Sequence, residues 1–153
     1  MNKRIIFTIL SIVIILILAS CGNVEPISPN HFEQTMTNEG YTVIDVSHQV
    51  EGDHLELALL AISAAQTYQF ELYVFVSDDE AAFFFQNVRN RLESDRENPH
   101  TQSAVSLQNL ERYELTSGGN YAQLLRRANT ALVVIVEESR RDSVRNIISV
   151  LEN

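Results

Sequence analysis

The chain has 153 residues, with 20 acidic and 11 basic side chains and a net charge of −9. An acidic surface repels phosphate groups, which argues against nucleic acid and anionic lipid head groups as partners of that surface. The only cysteine is Cys21, so the composition excludes an intrachain disulfide and a zinc site built from several thiolates.

The N-terminus is divided into three zones. Lys3 and Arg4 are followed by an apolar run over residues 5–18 and then by Ala19, Ser20 and Cys21. This order is typical of a secretory signal, and the run is shorter than the roughly 20 residues that cross a bilayer. We therefore expect residues 1–20 to be a signal peptide that is removed.

Residues 18–21, Leu-Ala-Ser-Cys, match the lipobox of bacterial lipoproteins, in which the cysteine thiol receives lipid and becomes the new N-terminus. An ordinary signal peptide with an incidental cysteine is the alternative. Each buried methylene contributes about 0.8 kcal/mol, so two or more acyl chains anchor a protein stably. We expect lipidation at Cys21 and a protein held on the outer, extracytoplasmic face of the cell membrane.

Removal of residues 1–20 leaves 9 basic residues, all arginine, against 20 acidic ones, a net charge of −11. We expect residues 21–29 to be a lipidated tether and residues 30–153 to form a single domain. That length suffices to bury a core.

The first half of the domain predicts a helix and three strands. Ser28 and Pro29 favour a helix start, and Gly40 favours its end. Residues 41–47 and 68–76 have strand patterns. Residues 55–62 fit a strand or a helix, and we favour a strand.

The second half begins with a helix, because Ser77 and Glu80 have capping-box spacing ahead of apolar positions that extend to Leu92. The polar residues 95–103 predict an exposed loop. Strands follow at 104–107, 110–116, 121–127 and 131–136, with a hairpin turn at 117–120. Ser139 and Asp142 repeat the cap spacing before a closing helix.

These elements predict an α+β domain, in which a mostly antiparallel sheet of six or seven strands carries two or three helices packed on one face. Residues 87–90, Asn-Val-Arg-Asn, echo residues 143–146, Ser-Val-Arg-Asn, in the other helix. The echo suggests a two-fold internal pseudo-repeat.

Two groups of acidic and imidazole side chains offer metal or acid–base chemistry. Asp45, His48, Asp53 and His54 are residue types that bind metals, but their spacing matches no known ligand pattern, and an exposed loop explains them. Residues 78–80 are acidic because carboxylates stabilise the first turn of a helix. We predict no metal and no cofactor.

Arginines suggest an anion site. Arg126, Arg127, Arg140 and Arg141 have guanidinium groups that suit a phosphate or carboxylate, although ion pairs with the many acidic residues explain them better. The chain lacks a G-x-S-x-G nucleophile motif, and we assign no catalytic residues.

Three aromatic residues form the candidate interaction surface. Phe83 is outside the apolar stripe of its helix, and Tyr73 and Phe75 are on the less apolar face of their strand. Exposed aromatic side chains are typical of binding surfaces. Cover by a second layer of structure is the alternative.

The chain resembles small lipoproteins of low-GC Gram-positive bacteria at residues 40–45, 68–75 and 129–132. The resemblance implies the outer face of a single cytoplasmic membrane and a strand at 55–62, and it implies no activity.

From these features we expect a membrane-anchored, non-catalytic interaction or ligand-binding module with a protein or small-molecule partner in the cell envelope. The first alternative is a cell-envelope hydrolase in which His48, His54, Asp45 and arginines meet in a cleft. A structural or stress-related envelope protein is a further alternative.

Overall fold

The computed structural model describes residues 24–50, 53–64 and 69–153. The predicted signal peptide and Cys21 are outside the described residues. Within these ranges, no helix has the length and hydrophobicity needed to cross a membrane.

Helix α1, Pro29–Asn38, begins and ends as predicted. The Ser28 Oγ accepts a hydrogen bond from the His31 backbone N–H at 3.4 Å. Gly40 follows the helix with a φ of +85°, a conformation that glycine adopts without steric cost. The helix buries Phe32 and Met36, one turn apart, against the sheet.

The sheet has seven strands, and every neighbouring pair is antiparallel. Their order is β1-β2-β3-β7-β6-β5-β4. The strands are β1 Thr42–Asp45, β2 Leu55–Ile62, β3 Gln69–Phe75, β4 His100–Leu107, β5 Leu110–Ser117, β6 Asn120–Arg127 and β7 Thr130–Glu137. The α+β class and the antiparallel sheet are confirmed, and residues 55–62 form a strand.

Helices cover both faces of this sheet, so the predicted placement on one face is corrected. Helix α2, Asp78–Ser94, packs on the face that carries Tyr73 and Val133. Helices α1 and α3, Arg141–Leu151, pack on the opposite face with Leu72 and Leu132. Successive residues of a strand point to opposite faces, so two apolar sets along one strand require cover on both sides.

The predicted pseudo-repeat is not confirmed. Strands β3 and β7 each precede a helix, and they are antiparallel neighbours at the centre of the sheet. A two-fold axis that relates such neighbours is perpendicular to the sheet and would put both helices on the same face. Helices α2 and α3 lie on opposite faces, so the halves lack this symmetry.

The two predicted capping boxes, which begin at Ser77 and Ser139, have different outcomes. The Ser77 Oγ accepts from the Glu80 backbone N–H at 3.3 Å, which confirms the first cap. A short 3-10 turn, Glu138–Arg140, precedes α3, and no side chain caps that helix. Ser139 lies within the turn, so the predicted second cap is wrong.

The predicted loop over residues 95–103 is shorter than expected, because β4 begins at His100. This edge strand pairs only with β5, and its residues from Thr101 to Leu107 are exposed. Exposure of both faces removes the apolar alternation that identifies a strand.

The domain also begins earlier than predicted. Ile27, which the sequence assigned to the tether, is buried with the core side chains under α1 and α3. Its backbone N–H donates to the Thr130 Oγ1 at 3.0 Å. The last residues before α1 are therefore fixed to the start of β7.

We predict that Ile148→Ala will lower the free energy of unfolding by about 2–5 kcal/mol, because Ile148 is almost wholly buried and its removal leaves a cavity. Val150→Ala on the exposed side of the same helix should change it by less than about 0.5 kcal/mol. Urea unfolding of both variants measures the difference. Equal effects would contradict this placement of α3.

Candidate functional site

An open groove with a volume of about 210 Å³ lies between the start of α2 and the residues that precede and begin β2. We call it the aromatic groove. Its lining residues are Val50, His54, Leu55, Tyr73, Phe75, Glu80, Phe83, Phe84 and Asn87.

Three packed rings form the floor of the groove. Tyr73 and Phe75 alternate on the α2 face of β3, and Phe84 of α2 lies on both. Ring centroids are 4.7 Å apart for Tyr73 and Phe84 and 5.2 Å for Phe75 and Phe84. Tilted rings at these separations attract each other beyond their area of contact, so the floor has a defined shape.

The structure brings the three predicted surface residues together with different exposures. Phe83 is 67% exposed, Tyr73 is half-buried and Phe75 is only 7% exposed. Phe83 is therefore the accessible aromatic side chain, and the helix covers most of Phe75. Their role in binding stays a prediction.

Sequence reasoning missed other residues of the groove. Glu80, Phe84 and Asn87 have the i, i+4, i+7 spacing that places them on one side of α2, so the helical period was a usable signal. Val50, His54 and Leu55 reach the groove through the pairing of β2 with β3, where Leu55 is opposite Phe75. No local pattern indicates that contact.

One carboxylate, that of Glu80, lies on the rim of the groove. The Glu80 Oε1 is 3.3 Å from the His54 Nδ1, and both side chains are partly exposed, so this pair adds little to stability. Asp78 and Asp79 belong to the same helical turn as Glu80. None of the described arginines lines the groove.

Tyr73 is held at the base of the groove by its hydroxyl group. The hydroxyl donates to the Glu71 Oε2 at 2.6 Å, and the Gln69 Nε2 donates to the Glu71 Oε1. Burial, and then the neighbouring Glu71, raise the pKa of Tyr73 far above its ordinary value. Tyr73 is therefore a neutral side chain with its proton committed to Glu71.

The predicted polar loop around Asp45 and His48 does not converge on a pocket. The Asp45 carboxylate accepts from the Ser47 Oγ at 2.6 Å and from the Ser47 backbone N–H at 2.9 Å. These bonds lower the pKa of Asp45. His48 lies on the exposed 3-10 turn Ser47–Gln49. Over residues 24–50, 53–64 and 69–153, no three His, Cys, Asp or Glu side chains are grouped to hold a metal.

Arg126 and Arg127 point to opposite faces of the sheet and cannot form one anion site. The Arg126 Nε donates to the buried Glu111 Oε2 at 2.5 Å. The Arg127 Nη1 donates to the Glu152 backbone carbonyl at 2.7 Å.

Carboxylates also lie beside the arginines of α3. Arg145 forms an ion pair with Glu114, and the Arg141 Nη2 is 3.9 Å from the same carboxylate. Ion pairing with the excess acidic residues, the alternative to an anion site, therefore accounts for Arg126, Arg141 and Arg145.

No family model matches the chain, and no curated protein matches it. A solved structure of a GTP binding regulator from Thermotoga maritima is similar to it, at 18% identity over 82% of this chain and 87% of that one. The TM-score is 0.47.

We predict that the stability of the protein will fall as the pH rises above about 10, the ordinary pKa of tyrosine, partly because of Tyr73. Its raised pKa keeps it neutral in the folded protein, whereas unfolding releases it to ionise. Below pH 10 this contribution is fully present. Urea midpoints at pH 9 and pH 11 should differ less in Tyr73→Phe than in the wild type, and an unchanged difference would contradict the assignment.

Proposed function

We propose that the protein is a membrane-anchored extracytoplasmic lipoprotein that acts as a non-catalytic binding module through the aromatic groove. The anchor is supported by the signal-like residues 1–20, by the lipobox that ends at Cys21 and by the resemblance to small lipoproteins of Gram-positive bacteria. The binding role is supported by the groove.

The exposure of Phe83 is the observation that carries the binding role. A phenylalanine that is 67% exposed stands beside a preformed aromatic floor. Complete burial of such a side chain contributes roughly 1.5–3 kcal/mol, so a partner that covers it gains affinity without rearranging the floor. Aromatic side chains are the usual anchors of binding surfaces.

The position of Ile27 limits how far the domain can lie from a lipid on Cys21. Six residue steps separate the two, and an extended chain covers at most about 3.6 Å per step, or roughly 20 Å in total. Ile27 is bound to Thr130 at the start of β7. The neighbouring Asn129 carbonyl accepts from the Phe75 backbone N–H at 2.9 Å, so the attachment point is at the same end of the sheet as the groove.

A lipidated chain of this length therefore keeps the groove close to the membrane surface. The partner is then a molecule found within a few nanometres of that surface. A distant partner would need a longer tether.

The hydrolase alternative required His48, His54, Asp45 and arginines to meet in one cleft. Asp45 ends β1, His48 lies on the exposed turn that follows it, and His54 pairs with Glu80. Arg126 and Arg145 pair with glutamates of the sheet. No observation favours this alternative, and we do not propose it.

We predict that the full-length protein made in a Gram-positive host will be recovered with the membranes and that Cys21→Ser will release it or leave it uncleaved. The substitution removes the acceptor of the lipid and changes nothing in the described domain. Mass spectrometry of the N-terminal peptide should find at least two acyl chains in the wild type, because one chain anchors only marginally. A free thiol at Cys21 would overturn the anchor.

We predict that partner contact depends on Phe83. A photo-crosslinking amino acid at Asn87, on the wall of the groove, should give a defined adduct in intact cells, and Phe83→Ser should abolish that adduct. Leu107→Ser is the matched control, because Leu107 is a similarly exposed apolar residue on the β4 edge strand.

Both substitutions are at exposed positions and should change the free energy of unfolding by less than about 0.5 kcal/mol, which urea unfolding verifies. An adduct that persists in Phe83→Ser, or the absence of any adduct, would contradict binding at the groove.

A further inference from the structure

We infer that the ligand of the aromatic groove is a soluble organic cation with an alkyl-substituted ammonium group. This inference rests on the proposed binding role and adds the chemical class of the ligand. It follows from aromatic surface and negative charge that occur together in one concave site.

Aromatic side chains line the groove and can attract a cation. Phe83 exposes most of its ring, and the half-buried Phe84 and Tyr73 line the same groove. The face of an aromatic ring carries negative electrostatic potential, so it attracts an ammonium group that lies within about 6 Å of its centre. The methyl groups of a substituted ammonium also gain from removal of apolar surface from water.

The charged residues at the groove favour a cation over an anion. Glu80 lines the groove beside its partner His54, and Asp78 and Asp79 precede it in the first turn of α2. The described arginines lie outside the groove, and Arg126 of the sheet and Arg145 of α3 are paired with carboxylates. A carboxylate or phosphate ligand would meet like charge, whereas a cation meets charge of the opposite sign.

The same residues disfavour a metal ion. Calcium takes six to eight oxygen ligands, and magnesium keeps nearly octahedral oxygen coordination. Glu80 is the single carboxylate among the lining residues, and most of the others are apolar. An organic cation needs only one neighbouring carboxylate, because ring faces and methyl groups supply the remaining contacts.

The size of the groove sets the size of the ligand. Its volume is about 210 Å³. Typical pockets for drug-sized ligands begin near 300 Å³. The groove therefore suits a small ammonium compound, and choline is a suitable probe.

The test is a ligand-observed NMR titration of the full-length protein in a non-ionic detergent. The two probes are choline and its uncharged isostere 3,3-dimethyl-1-butanol. Choline should bind at least tenfold more tightly than the isostere. The two molecules have nearly the same shape, so this ratio reports the charge.

Two variants separate the two sources of attraction. Glu80→Gln should weaken choline binding about fivefold, and Asp142→Asn is the control, because Asp142 is the acidic residue in the first turn of α3, on the opposite face of the sheet. Phe83→Leu should weaken choline binding about fivefold and leave the isostere unchanged, since it keeps apolar surface but removes the ring.

The outcomes distinguish this inference from the proposed function. Equal binding of choline and the isostere, or no binding of either probe while the Phe83-dependent adduct forms, would overturn the cationic ligand and leave the groove as a binding site. Absence of both probe binding and the adduct would overturn both proposals. Binding of a soluble short-chain phosphatidylcholine that is lost in Phe83→Leu, without binding of free choline, would overturn the soluble ligand and indicate a lipid head group.

Discussion

The two strands at the centre of the sheet, β3 and β7, carry apolar side chains on both faces, and each face needs cover. Phe70 and Leu72 point to one side of β3, whereas Tyr73 and Phe75 point to the other. Helices α1 and α3 cover the first side and α2 covers the second. A layer of helices on one face would have left Val133 and the rings of Tyr73 and Phe75 in water, at a cost of about 25 cal/mol for each Å² of apolar surface.

The groove exists because one helix cannot cover a sheet of seven strands. Helix α2 contacts β3, β7 and β6, and the outer strands β1 and β2 extend beyond it. The boundary of that cover runs beside Phe84, where His54 and Leu55 of the adjacent segment approach the helix. The aromatic packing between α2 and β3 therefore ends at an accessible surface. Phe83 lies on that surface, where a partner can contact it. The attachment of Ile27 to Thr130 ties this surface to the end of the chain that carries Cys21.

The sheet and the groove differ in how their charged side chains are paired. The basic residues Arg126 and Arg145 are engaged with Glu111 and Glu114 of β5. The acidic first turn of α2 has only the His54 imidazole as a partner in the described ion pairs. The excess of acidic residues thus leaves a carboxylate, that of Glu80, on the rim of the groove and no arginine there.

The sequence by itself determined most local structure, because caps, glycine turns and period-two alternation act over a few residues. Ser28, Ser77 and Gly40 mark helix ends, and the alternation over residues 69–75 defines β3. It also singled out Tyr73, Phe75 and Phe83 as a set. Tertiary structure alone decided that α2 and α3 lie on opposite faces, that Ile27 belongs to the core, that β4 extends into polar residues and that Val50, His54 and Leu55 reach the groove. These features arise from strand pairing and from competition for apolar surface between segments far apart in the chain, which no window of neighbouring residues records.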